Sequence, residues 1–242
     1  MNNDLYIVKN TNLSEVDMHV PKDAILMLSG VSCVGKTTAA YEIVKNYPEF
    51  RRVSEYDLLR TVVRTAYECL AEEAYIDKDE LISKYHALFE SITNSNFEIT
   101  KLQSEQLLPY VKEIILRQQR RRIPTIIEGT GIIPSAYFPN NQPLAWLSKH
   151  VVFINLYISD EEDHISRRQS RSEERDYHES ASKTEIIISQ SRAGKNQLLH
   201  MQAIKLQQKF KNVFSLDVSN YTPSHMASKI MELVFDYFDT YN

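Results

Sequence analysis

Short apolar runs alternate with amphipathic stretches along the 242-residue chain. Nearly continuous apolar runs at 24–30, 123–129 and 150–159, and weaker ones at 50–57 and 212–219, predict strands. Helices are predicted at 36–49, 58–75, 183–211 and 223–239, with two more inside 79–122. Strands that are separated by helices indicate an α/β fold, in which helices cover both faces of a parallel sheet.

The composition indicates the class of protein and the compartment that we expect, but it does not indicate a function. Hydrophobic residues make up 43% and charged residues 25% of the chain, and the net charge is −4, which fits one globular domain over 1–242 and makes nucleic acid an unlikely main partner. The two cysteines form no CxxC pattern, so a reduced, cytoplasmic setting is expected. We expect neither a signal peptide nor a membrane span, since the N-terminal residues lack a basic start and no apolar run reaches 18 residues.

The residues after the first predicted strand fit the phosphate-binding pattern GxxxxGK[ST], also called Walker A. Glycine reaches the dihedrals that turn backbone N–H groups inward around phosphate oxygens, and the next helix adds its positive N-terminal end. Lys36 would reach the β- and γ-phosphates, the Thr37 hydroxyl would ligate Mg²⁺, and Cys33 would be a small filler. The expected nucleotide contacts are Gly30, Val31, Ser32, Cys33, Val34, Gly35, Lys36, Thr37 and Thr38.

Other classes of P-loop protein leave sequence marks that this chain lacks. A GTPase would show Asn-Lys-x-Asp and Asp-x-x-Gly, and an ABC-type ATPase a Leu-Ser-Gly-Gly-type signature; the chain has none of them. Asp160-Glu161 follows a strand but opens a charged stretch, so it is weak support for the ABC type. The kinase branch remains, in which a γ-phosphoryl group moves from ATP to a small acceptor.

Such a kinase needs a carboxylate near the acceptor hydroxyl and cations near the moving charge. Asp57 ends the second predicted strand and could orient or deprotonate the acceptor, or it could simply cap the following helix. Arg60 and Arg64 lie three and seven residues further on, on one helix face, where they could bind an anionic substrate or remain solvated.

The third predicted strand ends in a second candidate carboxylate, Glu128, followed by Gly129 and Gly131. Glu128 could hold Mg²⁺ through water, contact the acceptor, or be a buried carboxylate satisfied by turn N–H groups. The glycines would let the backbone approach a ligand closely. We predict that Glu128 and Gly129 belong to the acceptor site.

A basic stretch after the fourth predicted strand suits a lid over ATP at about 160–182. Its arginines fall on one helical face that runs into a loop, although interleaved acidic residues also suit a solvated surface. The candidate lid residues are Arg167, Arg168, Arg171 and Arg175, with Arg192 a further candidate from the next helix.

Four segments together resemble 2-phosphoglycerate kinase and related P-loop kinases, over residues 24–220. They are "GVSCVGKTT", "SEYDLLRTVVR", "IIEGTGIIP" and "DEEDHISRRQSR". The resemblance implies an adenylate-kinase-like core with a five-stranded parallel sheet, a lid, and ATP with Mg²⁺ as cofactors. It implies phosphoryl transfer to a hydroxyl group, that of 2-phosphoglycerate in the named family.

Carried over by position, the family's roles fall on residues already singled out here. Phosphate and metal binding fall on Lys36 and Thr37, the acceptor side on Asp57 and Glu128, and the lid on Arg167 and Arg171, with Arg168 beside them. The sequence departs from the family at Gly131, where a histidine is usual, and the helical insert at about 75–122 carries no family signal.

Three alternatives stay open beside the small-molecule kinase. A relative of zeta-type toxins would phosphorylate a nucleotide-sugar, and it would also carry an acidic residue at the position of Asp57. A nucleotide-binding regulatory protein would bind ATP with little turnover. A nucleic-acid end-processing kinase would need a continuous basic groove, for which the run at 117–122 is the one candidate.

Overall fold

Five parallel strands form a single sheet in the computed structural model of the chain. The structure describes residues 20–73, 75–90, 97–173 and 183–241, and it describes no side chains for 171–173, 183–192 and 241. The strands are β1 (Ile25–Ser29), β2 (Arg52–Glu55), β3 (Thr125–Glu128), β4 (Val151–Tyr157) and β5 (Val213–Asp217). Their order across the sheet is β2-β3-β1-β4-β5, which confirms the predicted α/β fold with five parallel strands.

Helices cover the sheet and build an insert beside it. They are α1 (Lys36–Asn46), α2 (Tyr56–Glu72), α3 (Lys78–Phe89), α4 (Phe97–Arg121), α5 (Pro134–Tyr137), α6 (Glu161–Glu173), α7 (Lys183–Gln207) and α8 (Pro223–Tyr241). The two helices predicted inside 79–122 are confirmed as α3 and α4, whereas α5 and a 3-10 turn at Pro139–Asn141 were not predicted. Helices α3 and α4 occupy the region predicted as a helical insert, and α3 packs between α2 and α4.

Burial explains why the strands could be read from the sequence. All five residues of β1 and all four of β3 are buried, as central parallel strands require. Strand β2 lies at the edge and exposes Arg52 and Glu55, which explains its weaker apolar pattern. Helix α1 ends at Asn46, earlier than the predicted 49, because Tyr47 precedes a proline and leaves the helical region (φ −128°, ψ 89°).

The register brings polar strand ends to one edge of the sheet. Leu28 pairs with Glu128 on one side and with Ile154 on the other, and Glu55 also pairs with Glu128. The loop after β1 therefore lies next to the ends of β2 and β3. Ligands of open parallel sheets bind at this carboxyl edge. Within the described part of the chain, none of the helices combines the length and apolar character that a membrane span requires.

Candidate active site

The loop between β1 and α1 has the backbone shape that its glycines predicted. Gly30 and Gly35 have positive φ values of 137° and 92°, and Cys33 between them has φ 70°. A Cβ on Gly30 would lie 2.3 Å from the carbonyl oxygen of Leu156, so a side chain has no room there. The N-cap residue of α1 is Gly35, with no capping hydrogen bond from a side chain in the described part of the chain, and a helix N-terminus of this kind can receive an anion. Lys36 is buried, and its Nζ donates to the carbonyl oxygen of Val31 at 2.8 Å.

Thr37 and Glu128 contact each other directly. The Thr37 Oγ1 donates to Glu128 Oε1 at 2.9 Å, which joins the predicted metal ligand to the end of β3. Burial raises the pKa of Glu128, and the nearby charge of Lys36 and the Thr37 hydrogen bond oppose that rise. A hydroxyl and a carboxylate are oxygen ligands of the kind Mg²⁺ takes, with phosphates and water completing the shell. No group of three or more acidic, His or Cys side chains that could hold a metal occurs among the described residues.

Asp57 lies in the first turn of α2, next to the segment after β3. Its carboxylate accepts from the Thr130 hydroxyl, at 2.9 Å to Oδ2 and 3.1 Å to Oδ1. The residue at the N-cap position of α2 is Glu55, so Asp57 is not the helix cap considered as an alternative. Thr130 was missed in the sequence, although it stands between the two glycines that were singled out. Asp57 is close enough to Glu128 for its charge to contribute, after burial, to the raised pKa of Glu128.

The space beside Gly129 and Gly131 is occupied by Tyr56. A Cβ on Gly129 would lie 2.6 Å from Tyr56 Cβ, and one on Gly131 would lie 2.4 Å from Tyr56 Cε1. Tyr56 is buried, and this packing places α2 directly against the segment after β3. The observed reason for these glycines is therefore the tyrosine ring; the role of Gly129 in acceptor binding stays a prediction.

Arg60 and Arg64 have different surroundings although they share a side of α2. The Nη1 of Arg60 donates to the carbonyl oxygens of Glu90 at 3.0 Å and Leu88 at 3.4 Å, at the end of α3. Arg64 forms a longer ion pair with Glu68, 3.8 Å between Nε and Oε1. Arg60 thus holds α3 against α2, and binding of an anion by either arginine stays a prediction.

Helix α6 approaches the loop after β1 through its first two turns. Asp160 caps this helix, since its Oδ1 accepts from the N–H groups of Glu162 at 2.9 Å and Asp163 at 3.2 Å. His164 is buried, and its Nε2 lies 3.0 Å from the carbonyl oxygen of Ser32. Asp160 therefore has a capping role, and a histidine of α6 contacts the phosphate-binding loop.

The predicted lid arginines are only partly within the described structure. Arg167 lies between α6 and the loop that follows β5, and Arg168 is half-exposed on α6. The side chains of Arg171 and Arg192 are outside the described part of the chain, as is Arg175 with the rest of 174–182.

A cleft of about 540 Å³ opens beside the loop and has a size suited to a nucleotide. The loop and α1 contribute Cys33, Gly35, Lys36, Thr37 and Thr38; α6 contributes Ser166, Arg167 and Ser170; the β5–α8 connection and α8 contribute Tyr221, Pro223 and Met226. Five of these residues were missed in the sequence: Ser166, Ser170, Tyr221, Pro223 and Met226. For the last three, the one available signal was their position after the last strand, which also ends at the carboxyl edge of the sheet.

Comparisons with known proteins give a weak likeness in fold. No family model matches the chain, and no curated protein sequence matches it. Among solved structures, shikimate kinase from Acinetobacter baumannii in complex with shikimate is similar over 90% of this chain and 95% of that chain, with 14% identity and a TM-score of 0.44. A likeness this distant carries no functional argument, so function is argued below from the site alone.

Proposed function

We propose that the protein is an ATP-dependent phosphotransferase that moves the γ-phosphoryl group to a hydroxyl group of a small molecule. One observation carries the proposal: the Thr37–Glu128 hydrogen bond joins the start of α1 to the end of β3, and two residues after Glu128 the Thr130 hydroxyl bonds to a second carboxylate, Asp57. A protein that only bound a nucleotide would need the phosphate-binding loop with Thr37 and Glu128, but it would not need the second carboxylate. A carboxylate beside it, exposed and hydrogen-bonded to a hydroxyl, suits a group that receives an acceptor.

The residues of the loop would act mainly by position and charge. Its N–H groups would bind the phosphates, and the Lys36 ammonium would exchange its bond to the Val31 carbonyl for the β- and γ-phosphate oxygens. Thr37 and Glu128 would hold the metal, Thr37 through its hydroxyl and Glu128 through water. A bound magnesium ion would neutralise part of the phosphate charge.

Asp57 is the proposed general base. It would exchange its bond to Thr130 for the acceptor hydroxyl and take its proton while the new oxygen–phosphorus bond forms and ADP leaves. Glu128 is the less suitable base because it is buried against Thr37.

The acceptor is proposed to be a small anionic metabolite such as 2-phosphoglycerate. Arg60 and Arg64 follow Asp57 at three and seven residues in α2, so all three lie along one side of the helix. Two carboxylates repel an anion, so an anionic acceptor requires these cations. Arg64 is the more available of the two, because Arg60 already donates to two carbonyl groups of the insert.

An ATP-consumption screen tests the proposal directly. The panel contains phosphorylated hydroxy acids, sugars, nucleosides and nucleotide-sugars, and turnover with one of these classes identifies the acceptor class. Turnover with a nucleotide-sugar alone would move the protein to the zeta-toxin-like alternative. ATP binding without turnover on any member would favour the regulatory alternative.

Asp57→Asn separates catalysis from binding in that screen. The variant should lose about a hundredfold or more in kcat, while its affinity for ATP stays within about threefold of the wild type. Asp79→Asn, on the exposed first turn of α3, is the matched control and should change neither quantity. Full turnover in Asp57→Asn would remove Asp57 from the mechanism.

A further inference from the structure

The guanidinium of Arg167 is held inside the protein by Asp163, one turn earlier in α6. Arg167 Nε donates to Asp163 Oδ1 at 3.1 Å, and Arg167 Nη2 lies 2.8 Å from Asp163 Oδ2. Only 20% of the arginine side chain and 16% of the aspartate side chain are exposed. A two-point contact between guanidinium and carboxylate fixes both the position and the direction of the arginine.

Both residues also bind the loop between β5 and α8. Arg167 Nη2 donates to the carbonyl oxygen of Val218 at 2.7 Å and makes a longer contact of 3.5 Å with that of Tyr221. Asp163 Oδ2 accepts from the N–H of Asn220 at 2.9 Å, and Asn220 has the left-handed φ of 58°. Three of the four consecutive residues 218–221 are therefore bonded to this one ion pair.

The charge state of Asp163 suits this role at neutral pH. Burial works to raise the pKa of Asp163, but the hydrogen bonds from Arg167 and from the Asn220 N–H outweigh it, so the pKa lies below its usual value. Electrostatic contributions from Arg167 and from His164 on the same helix lower the pKa of Asp163 further. The Asp163 carboxylate is therefore ionised at neutral pH and can pair with the guanidinium of Arg167.

The loop held in this way forms one side of the cleft. Tyr221, Pro223 and Met226 supply an aromatic and apolar surface, on which a planar nucleobase can pack. Arg167 itself lies close to the phosphate-binding loop, since a Cβ on Gly35 would be 3.8 Å from its Nη1. The ion pair thus joins the phosphate end of the cleft to its apolar end.

We propose that Asp163 is a positioning residue for nucleotide binding: through Arg167 and Asn220 it fixes the loop 218–221 in the shape that receives the base and ribose of ATP. The proposal rests on the proposed function, because it concerns the same cleft. It also assigns Arg167 to a fixed wall of the nucleotide site, in place of a lid that closes over the transferred phosphoryl group.

Binding of two probes shows whether Asp163 affects the site for the base and ribose or the site for the phosphates. Titration calorimetry with magnesium ATP reports the whole nucleotide, and magnesium tripolyphosphate reports the phosphates alone. Asp163→Asn should weaken ATP binding about tenfold while tripolyphosphate binding stays within about twofold. At saturating ATP the variant's kcat should stay within about twofold, so its defect lies in the KM for ATP.

Two further variants make the test independent of one substitution. Arg167→Lys keeps the charge but loses the two-point geometry, and it should give the same pattern as Asp163→Asn, with the double variant no worse than about the poorer single one. Glu162→Gln removes an equal charge from an exposed neighbouring position of α6 and should change nothing. If Asp163→Asn does not fold, Arg167→Lys alone decides the outcome.

The outcomes are distinguishable from one another. Equal weakening of ATP and tripolyphosphate would overturn the inference and place Arg167 on the phosphates, with the proposed function intact. Unchanged binding in both variants would also overturn it. Wild-type protein that binds neither probe would refute the proposed function, and the inference would fall with it.

Discussion

Thr37 and Glu128 are 91 residues apart in sequence and bond to each other at the carboxyl edge of the sheet. The threonine hydroxyl is the partner that a buried carboxylate requires, since a buried charge without hydrogen bonds is costly. On the proposed function, these two side chains would also hold the metal. Stability and catalysis would then depend on the same side chains, and substitutions at Thr37 should affect both.

Thr37→Val and Thr37→Ser form a pair that isolates the hydroxyl. Valine keeps the shape but removes the donor, so it should lower the free energy of unfolding by about 1–3 kcal/mol and reduce magnesium-dependent turnover by about a hundredfold. Serine keeps the donor and should stay near wild type in both. Denaturant unfolding and ATP turnover measure the two effects, and equal behaviour of the two variants would exclude a role for the hydroxyl.

Glu128 should make stability depend on pH in a defined direction. Its pKa in the folded protein is raised above 4.5 by burial, so the folded state favours the protonated carboxyl. The stabilisation from this group is complete below its unfolded pKa and is lost as pH rises through the raised pKa. Relative to Glu128→Gln, the wild type should therefore lose free energy of unfolding as pH rises above about 4.5.

Urea unfolding of both proteins without magnesium, between about pH 4 and 8, measures this difference. Other titrating groups cancel because they are common to the two chains. Parallel curves would mean that the pKa of Glu128 is not raised in the folded protein.

The loop between β1 and α1 shows how an element depends on two glycines for different reasons. A side chain at Gly30 would meet the backbone of β4, whereas one at Gly35 would meet the flexible end of Met226, 2.8 Å from its Cε. Backbone cannot move aside, but a methionine can adopt another rotamer. The two positions should therefore differ in their tolerance of alanine.

Gly30→Ala should cost about 3 kcal/mol or more, because strained backbone alone costs roughly 1–3 kcal/mol. Gly35→Ala should cost less, and its cost should fall further in a Met226→Leu background, where Cε is missing. Double-mutant cycles from thermal unfolding measure the coupling. The cost of Gly30→Ala should be the same in both backgrounds, and relief of it by Met226→Leu would contradict the structure.

At the scale of elements, the contact between α2 and α3 gives a second contrast, between two arginines of α2. Arg60→Met removes the donors to the two carbonyl groups at the end of α3 and should cost about 1.5–3 kcal/mol, typical of a hydrogen bond from a charged group. Arg64→Met breaks one longer ion pair and should cost within about 0.5 kcal/mol. On the proposed function, Arg64→Met should instead raise the KM for the acceptor. The reverse pattern would exchange the two roles.

At the scale of the whole molecule, the sheet was predictable because its central strands are buried on both faces and so read as unbroken apolar runs. The polar ends of those runs pointed to Asp57 and Glu128. The contact of Thr130 with Asp57 and the bonds of Asp163 and Arg167 to the loop after β5 were not predictable, because they join residues of different elements that lie far apart in sequence. Periodic patterns in the sequence indicate where strands lie, but contacts between loops produce no such pattern.

Nucleotide binding should stabilise the whole molecule because the β1–α1 loop, α1, α6, the β5–α8 connection and α8 all line one cleft. Magnesium ATP at a hundred times its Kd should add about 2.7 kcal/mol to the free energy of unfolding. For a chain of this size that corresponds to a rise in Tm of roughly 5–11 °C. Differential scanning fluorimetry measures it, with magnesium AMP as the control that lacks the β- and γ-phosphates. Lys36→Met should abolish the rise, and a rise of equal size with AMP would mean that the loop does not bind the triphosphate.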